Sequence, residues 1–162
     1  MTSLSPENKI HLKTPSAEVV SSYQVRVQIP PENVDEVLQA VLQVDSLQYG
    51  DYQKVAFRHR SGTQQFEPMV NACSGKLGLI EVPCDEVSFV VPQNDSVLST
   101  VVEALFCAHP YEEPVIQIQP ILSTRLRAGA QKDNPQKWWN RSALQWVSPT
   151  QRAAMESLEE CP

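Results

Sequence analysis

Val87-Ser88-Phe89-Val90-Val91-Pro92, followed by Asn94-Asp95 and then Val97, Val101, Val102 and Leu105, is the stretch that decides the fold. An apolar run of this length with β-branched residues reads as a strand, and Pro92 stops it. Asn94 or Asp95 then serves as an N-cap, and the four apolar residues that follow fall at helical spacing. The same order occurs earlier in the chain. Tyr23-Gln24-Val25-Arg26-Val27-Gln28-Ile29 alternates apolar and polar residues, as a strand with one buried face does, and Pro30-Pro31 ends it. Val34, Val37, Leu38, Val41 and Leu42 follow at helical spacing, with Glu32, Asp35 and Glu36 in the opening turn, where the helix dipole favours negative charge. Val34, Leu38 and Leu42 align with Val97, Val101 and Leu105 at a constant offset.

Two strand-proline-helix units in tandem predict a β-α-β-β-α-β order, an α+β ferredoxin-like sandwich with two helices on one face of an antiparallel sheet. The segment between the units fits this order. Residues Tyr52 to Arg60 read as a strand, Ser61-Gly62 offers a turn, and a Gly-punctuated stretch with Gly75 and Gly78 leads into Leu79-Ile80-Glu81-Val82. After the second helix, Val115-Ile116-Gln117-Ile118-Gln119-Pro120-Ile121 alternates again and closes the sheet. Residues 1–20 show no persistent period and read as a flexible N-terminal arm, 21–122 as the folded domain, and 123–162 as a C-terminal extension.

Between the second helix and the last strand lies His109-Pro110-Tyr111-Glu112-Glu113-Pro114. Its two prolines fix the backbone at both ends and push the preceding residues away from helical geometry. In one reading His109, Tyr111, Glu112 and Glu113 bind a ligand, with His109 and Glu112 as candidate donors to a divalent metal ion, since imidazole nitrogen and carboxylate oxygen both suit such ions. Adjacent carboxylates on an extended chain point to opposite sides, so Glu112 and Glu113 do not both face one ion. In the other reading the segment is framework: the prolines end the helix and open an edge strand, His109 caps the last helix carbonyls, Tyr111 fills a groove and one Glu is solvated.

The hexapeptide and its setting resemble the domain inserted in the YqfO family, the Nif-three-like proteins, which also occurs as a small stand-alone protein and is folded like CutA and PII. The resemblance covers about residues 22–122, including Gly50-Asp51-Tyr52, Gly62, Phe66-Glu67-Pro68 and the hexapeptide. It implies a trimer with sheet edges and hairpins meeting between subunits, and a non-enzymatic binding or regulatory module for a metal ion, a small metabolite or a protein partner. The chain departs from the family pattern at Gln64-Gln65 and at Val70-Asn71-Ala72-Cys73, where glycine-rich backbone is usual. Longer family members resemble a two-part shell around a pair of metal ions. A site of that kind needs several convergent His and carboxylate ligands, whereas His11, His59 and His109 are dispersed. The competing reading as a metal-dependent hydrolase rests on His109 with Glu112 or Glu113 as acid and base.

At 41% hydrophobic and 20% charged residues the composition is that of a soluble globular protein, and no apolar run is long enough to span a bilayer. The N-terminus lacks the order of a secretory signal, and the chain reads as cytoplasmic. Cys73, Cys84, Cys107 and Cys161 are scattered and read as free thiols, with no cofactor implied beyond a candidate divalent ion. Residues 21–122 carry 13 acidic against 5 basic residues, which makes nucleic acid a poor partner for the domain. Residues 123–162 carry 6 basic and 4 acidic residues, with Trp138, Trp139 and Trp146 among them. This reads as an arm that docks its aromatics on the acidic domain or on a neighbouring subunit, the alternatives being a structural interaction tail or a tail that binds nucleic acid by phosphate contacts and stacking. Ser148-Pro149-Thr150-Gln151 has the pattern of a capped helix start. His59 reads as a solvent-facing strand residue, and Tyr49, Asp51 and Tyr52 as parts of a turn around Gly50.

Overall fold

Pro30 and Pro31 set how the chain turns from its first strand into its first helix. In a computed structural model, which describes residues 12, 14–73, 78–137, 140–141, 148–151 and 153–154, strand β1 runs over Ala17–Ile29 and a 3-10 turn over Pro31–Asn33. Helix α1 follows over Val34–Val44. Proline suits the first position of such a turn because its fixed φ is already helical and its missing N–H would have no partner there. Strands β2 (Ala56–Phe66) and β3 (Ile80–Pro92), helix α2 (Asp95–Ala108) and strand β4 (Ile116–Leu126) complete the order. The sheet order is β2-β3-β1-β4, so each helix connects two strands that are separated by a third. This is the ferredoxin-like arrangement expected from the repeated unit.

β1 and β3 pair antiparallel from Ser22 with Pro92 to Ile29 with Asp85. Val25, Val27 and Ile29 therefore share a face with Val87, Phe89 and Val91, and all six are buried. Val34, Val37 and Val41 of α1, and Val101 and Leu105 of α2, complete the same core. The opposite sheet face carries Gln24, Arg26 and Gln28 beside Glu86 and Ser88, with Phe57 and His59 at its β2 end. Asn94 is the residue that caps α2, its carboxamide oxygen accepting from the N–H groups of Ser96 at 2.9 Å and Val97 at 3.2 Å.

All four strands differ from their expected extents, β4 by running on past Ile121 to Leu126. β1 begins at Ala17, ahead of the alternation that starts at Tyr23. Leu79–Val82 and Val87–Val91, read as separate segments, fall from Ile80 onward in one 13-residue strand, β3. Pro83 is tolerated inside it because it sits opposite Thr63, beyond the stretch that also pairs with β1. Ser61-Gly62, expected to form a turn, lies inside β2 at a register shift. His59 opposes Glu86 and Gly62 opposes Cys84, so Arg60 and Ser61 together face Asp85, and the extra residue makes a β-bulge.

The chain divides into two compact units, one spanning Glu18–Arg125 and the other drawn from both terminal stretches. In the terminal unit, the Arg127 N–H donates to the Ser16 carbonyl at 2.9 Å, and its Nε donates to the carbonyls of Thr14 and Ala17 at 3.0 Å. Ser148 and Gln151 exchange the reciprocal bonds of a capping box: the Gln151 N–H donates to Ser148 Oγ at 3.2 Å, and the Ser148 N–H to Gln151 Oε1 at 3.3 Å. The reading of Trp138, Trp139 and Trp146 as docked aromatics lies outside the described residues. Cys73, Cys84 and Cys107 are free thiols. No helix among the described residues is long and apolar enough to cross a membrane.

Candidate functional site

α2 ends at Ala108 because His109, held extended by the proline after it, has φ −73° and ψ 136°. The His109 N–H closes the last helical turn on the Leu105 carbonyl at 2.9 Å. His109 therefore caps the helix as expected, through its backbone N–H, while its imidazole reaches across to β1. Nε2 lies 2.8 Å from the Gln28 carbonyl oxygen, and the Tyr111 N–H donates to Nδ1 at 3.0 Å. An amide N–H needs a lone pair to accept it, so Nδ1 is unprotonated and Nε2 carries the proton given to Gln28. His109 is 7% exposed. Burial holds its pKa below the ordinary imidazole value, against a smaller opposing effect of the Gln28 carbonyl.

Gln28 is held at both of its backbone groups. Its carbonyl accepts from His109, and its N–H donates to the Val115 carbonyl at 3.1 Å. The hexapeptide thus arches from one bond on Gln28 to the other, with Pro114 buried at its far end. Tyr111 packs edge-on against the His109 ring at 5.1 Å and tilted against Phe66 of β2 at 6.3 Å. Burial pushes its phenol pKa up. Glu112 accepts from the Cys73 N–H at 2.9 Å, and its bonding to Cys73 holds its carboxyl below the usual range. Glu113 is exposed.

The four candidate residues are therefore adjacent but do not converge. His109 faces β1, Tyr111 faces Phe66, and Glu112 faces the loop at Cys73. For a divalent ion the donor set does not fit as arranged: one His109 nitrogen carries a proton and the other lone pair is engaged.

A second polar centre, absent from the sequence-based expectations, lies at the bulge. Asp85 is 3% exposed and accepts from Arg58 Nε at 2.7 Å and from the Ser61 N–H at 3.2 Å. These bonds, the Arg58 bond first, hold its carboxyl below the usual range against desolvation. A further Arg58 nitrogen donates to the Pro31 carbonyl at 3.0 Å, and Arg58 also lies 3.6 Å from Asp35. Ser61 takes a left-handed φ of 71°, and Gly62 closes the bulge so tightly that a Cβ there would sit 2.7 Å from the Cys84 carbonyl oxygen. Over this bulge opens a cleft of about 250 Å³, with Gln28, His59, Arg60 and Glu86 in its lining. Two signals pointed here: a glycine inside a strand pattern, and an acid in phase with the buried face of Val87 and Phe89.

No protein-family model matches the chain. A GTP cyclohydrolase 1 type 2 homolog of Mycobacterium leprae is 36% identical over 95 residues, which is 57% of this chain and 24% of that protein. Another protein of the same description, from Halalkalibacterium halodurans, is 29% identical over 103 residues, 62% of this chain and 27% of that one. Among solved structures, a Bacillus cereus protein related to NIF3 superposes on 64% of this chain and 26% of its own, at 26% identity and a TM-score of 0.52. In both sequence and fold this chain is therefore similar to NIF3-related proteins, and it spans about a quarter of the length of the curated relatives it matches.

Proposed function

We propose that this chain is a non-enzymatic binding module that assembles through the free edges of its sheet into a closed ring of three copies and holds a small metabolite or a protein partner. The observation that carries the reading is a pair of sheet edges that no strand among the described residues covers. β2 and β4 are each 11 residues long and lie at the two ends of the sheet order. Both display apolar side chains to solvent: Phe57 is 67% exposed on β2, and Leu122 and Leu126 are 43% and 55% exposed on β4. Unpaired edges invite pairing with another chain, and unlike edges joined head to tail close into a ring when the rotation permits. Three copies is the number that the family resemblance implies.

The hexapeptide supports the same reading from the opposite direction. A general base needs a free lone pair within reach of substrate, whereas the His109 lone pair is already engaged by the Tyr111 N–H. His109 serves the framework, and binding falls to other surfaces. Sedimentation equilibrium of the full chain tests the assembly, with a trimer mass expected at micromolar concentration. A monomer persisting at high micromolar concentration overturns it. Native mass spectrometry of the same sample reports any retained ligand.

A further inference from the structure

The cleft over the β2 bulge brings together two opposite charges that do not pair. Arg60 and Glu86 both line it, yet among the described residues neither side chain is engaged in an ion pair or hydrogen bond. The acid nearest to Arg60 in strand register, Asp85, takes its hydrogen bonds from Arg58 and the Ser61 N–H and feels Arg60 only through its charge. Arg60 thus lines the cleft with a guanidinium whose hydrogen-bond donors have no protein acceptor among the described residues. Glu86, also in the lining, sits opposite both His59 and Gln28 across its two neighbouring strands, which places a carboxylate beside an amide and an imidazole.

Signs decide what such a cleft accepts. A simple anion drawn to Arg60 meets the Glu86 carboxylate, and a simple cation drawn to Glu86 meets Arg60. A small molecule carrying both charges satisfies each wall at once, through charge-assisted hydrogen bonds. At about 250 Å³ the space lies below the roughly 300–1,000 Å³ usual for drug-sized ligands, which restricts the occupant to a small molecule. The bulge is also a built feature. It depends on a buried carboxylate, a residue with left-handed backbone and a glycine that admits no Cβ, and bulges of this kind re-aim the side chains at their extra residues.

We propose that this cleft binds a small zwitterion of the free α-amino acid type, with its carboxylate on Arg60 and its ammonium group on Glu86, His59 and Gln28 flanking it. The assignment rests on the reading of the chain as a binding module and names the ligand class of that module. It is tested by titration calorimetry of the full chain with each standard free L-amino acid, and with the N-acetyl and carboxamide forms of any that bind. Saturable heat is expected for at least one amino acid, and either chemical block should weaken it roughly tenfold or more, as loss of one charged contact does. Arg60→Gln and Glu86→Gln should each weaken it to a similar degree with little change in melting temperature, since neither side chain makes a hydrogen bond or ion pair among the described residues. Absence of saturable heat for every amino acid overturns the assignment, as does binding that survives both blocks or both substitutions. A trimer that retains some other mass in native spectrometry while ignoring amino acids removes this ligand class and leaves the binding-module reading standing.

Discussion

His109 illustrates how a residue type that suggests chemistry can be consumed by architecture. Both of its ring nitrogens serve backbone groups, so replacing it with alanine leaves the Gln28 carbonyl and the Tyr111 N–H without partners and opens a void between α2 and β1. His109→Ala should therefore destabilise the protein by about 2–5 kcal/mol in urea unfolding, the range for removing a large buried side chain together with its hydrogen bonds. The pH dependence has a definite sign. The folded-state pKa is lowered from 6.5, so the unfolded chain takes up the proton more readily. Stability is then fully present above pH 6.5 and is lost as pH falls through the lowered folded value. The wild-type unfolding free energy should decline across that acid window with a component that His109→Ala lacks. Calorimetric titration with zinc, copper, manganese and magnesium is expected to show no saturable heat that depends on His109. A stoichiometric heat abolished by His109→Ala and Glu112→Ala would show that the ring rotates away from Gln28 to bind an ion.

At the scale of elements, what could be read in advance was what local pattern controls. The alternation at Val25, Val27 and Ile29, the helical spacing of Val97, Val101 and Leu105, and the cap at Asn94 each depend on neighbours a few residues away, and each appears as expected. The bulge at Arg60 and Ser61 was misread as a turn because glycine beside a residue of left-handed φ is the chemistry of both. Only the partner strand distinguishes them, and Asp85 lies more than twenty residues onward. The Arg58–Asp85 pair was hidden for the same reason, and the route of the His109 ring depends on a carbonyl 81 residues back. Gly62→Ala tests the bulge directly. Its Cβ would lie 2.7 Å from the Cys84 carbonyl oxygen, a backbone atom that cannot move alone. The substitution should cost about 1–3 kcal/mol in unfolding free energy, as overpacking does, and alter amide shifts along residues 58–64 and 82–86. Asn94→Ala, by contrast, should cost about 0.5–2 kcal/mol and leave the bulge untouched.

For the whole molecule, the prediction concerns its edges. If β2 and β4 meet between copies, a charge placed on either should weaken assembly without unfolding the subunit. Phe57→Lys and Leu122→Lys are expected to shift sedimentation toward monomer while far-ultraviolet circular dichroism stays unchanged. An unaltered sedimentation profile in both would place the subunit contacts elsewhere. The double hold on Gln28 has its own consequence for how the chain is made. β1 occupies a central place in the sheet, yet both of its neighbouring strands lie later in the chain, and the bonds that fix Gln28 come from His109 and Val115. As the polypeptide leaves the ribosome, β1 must wait with both edges open while most of the domain is synthesised, because contacts so distant in sequence cannot form until their later partners emerge. The hexapeptide is then the point at which vectorial synthesis becomes folding: once it has emerged, the first strand of the protein can be locked by nearly the last.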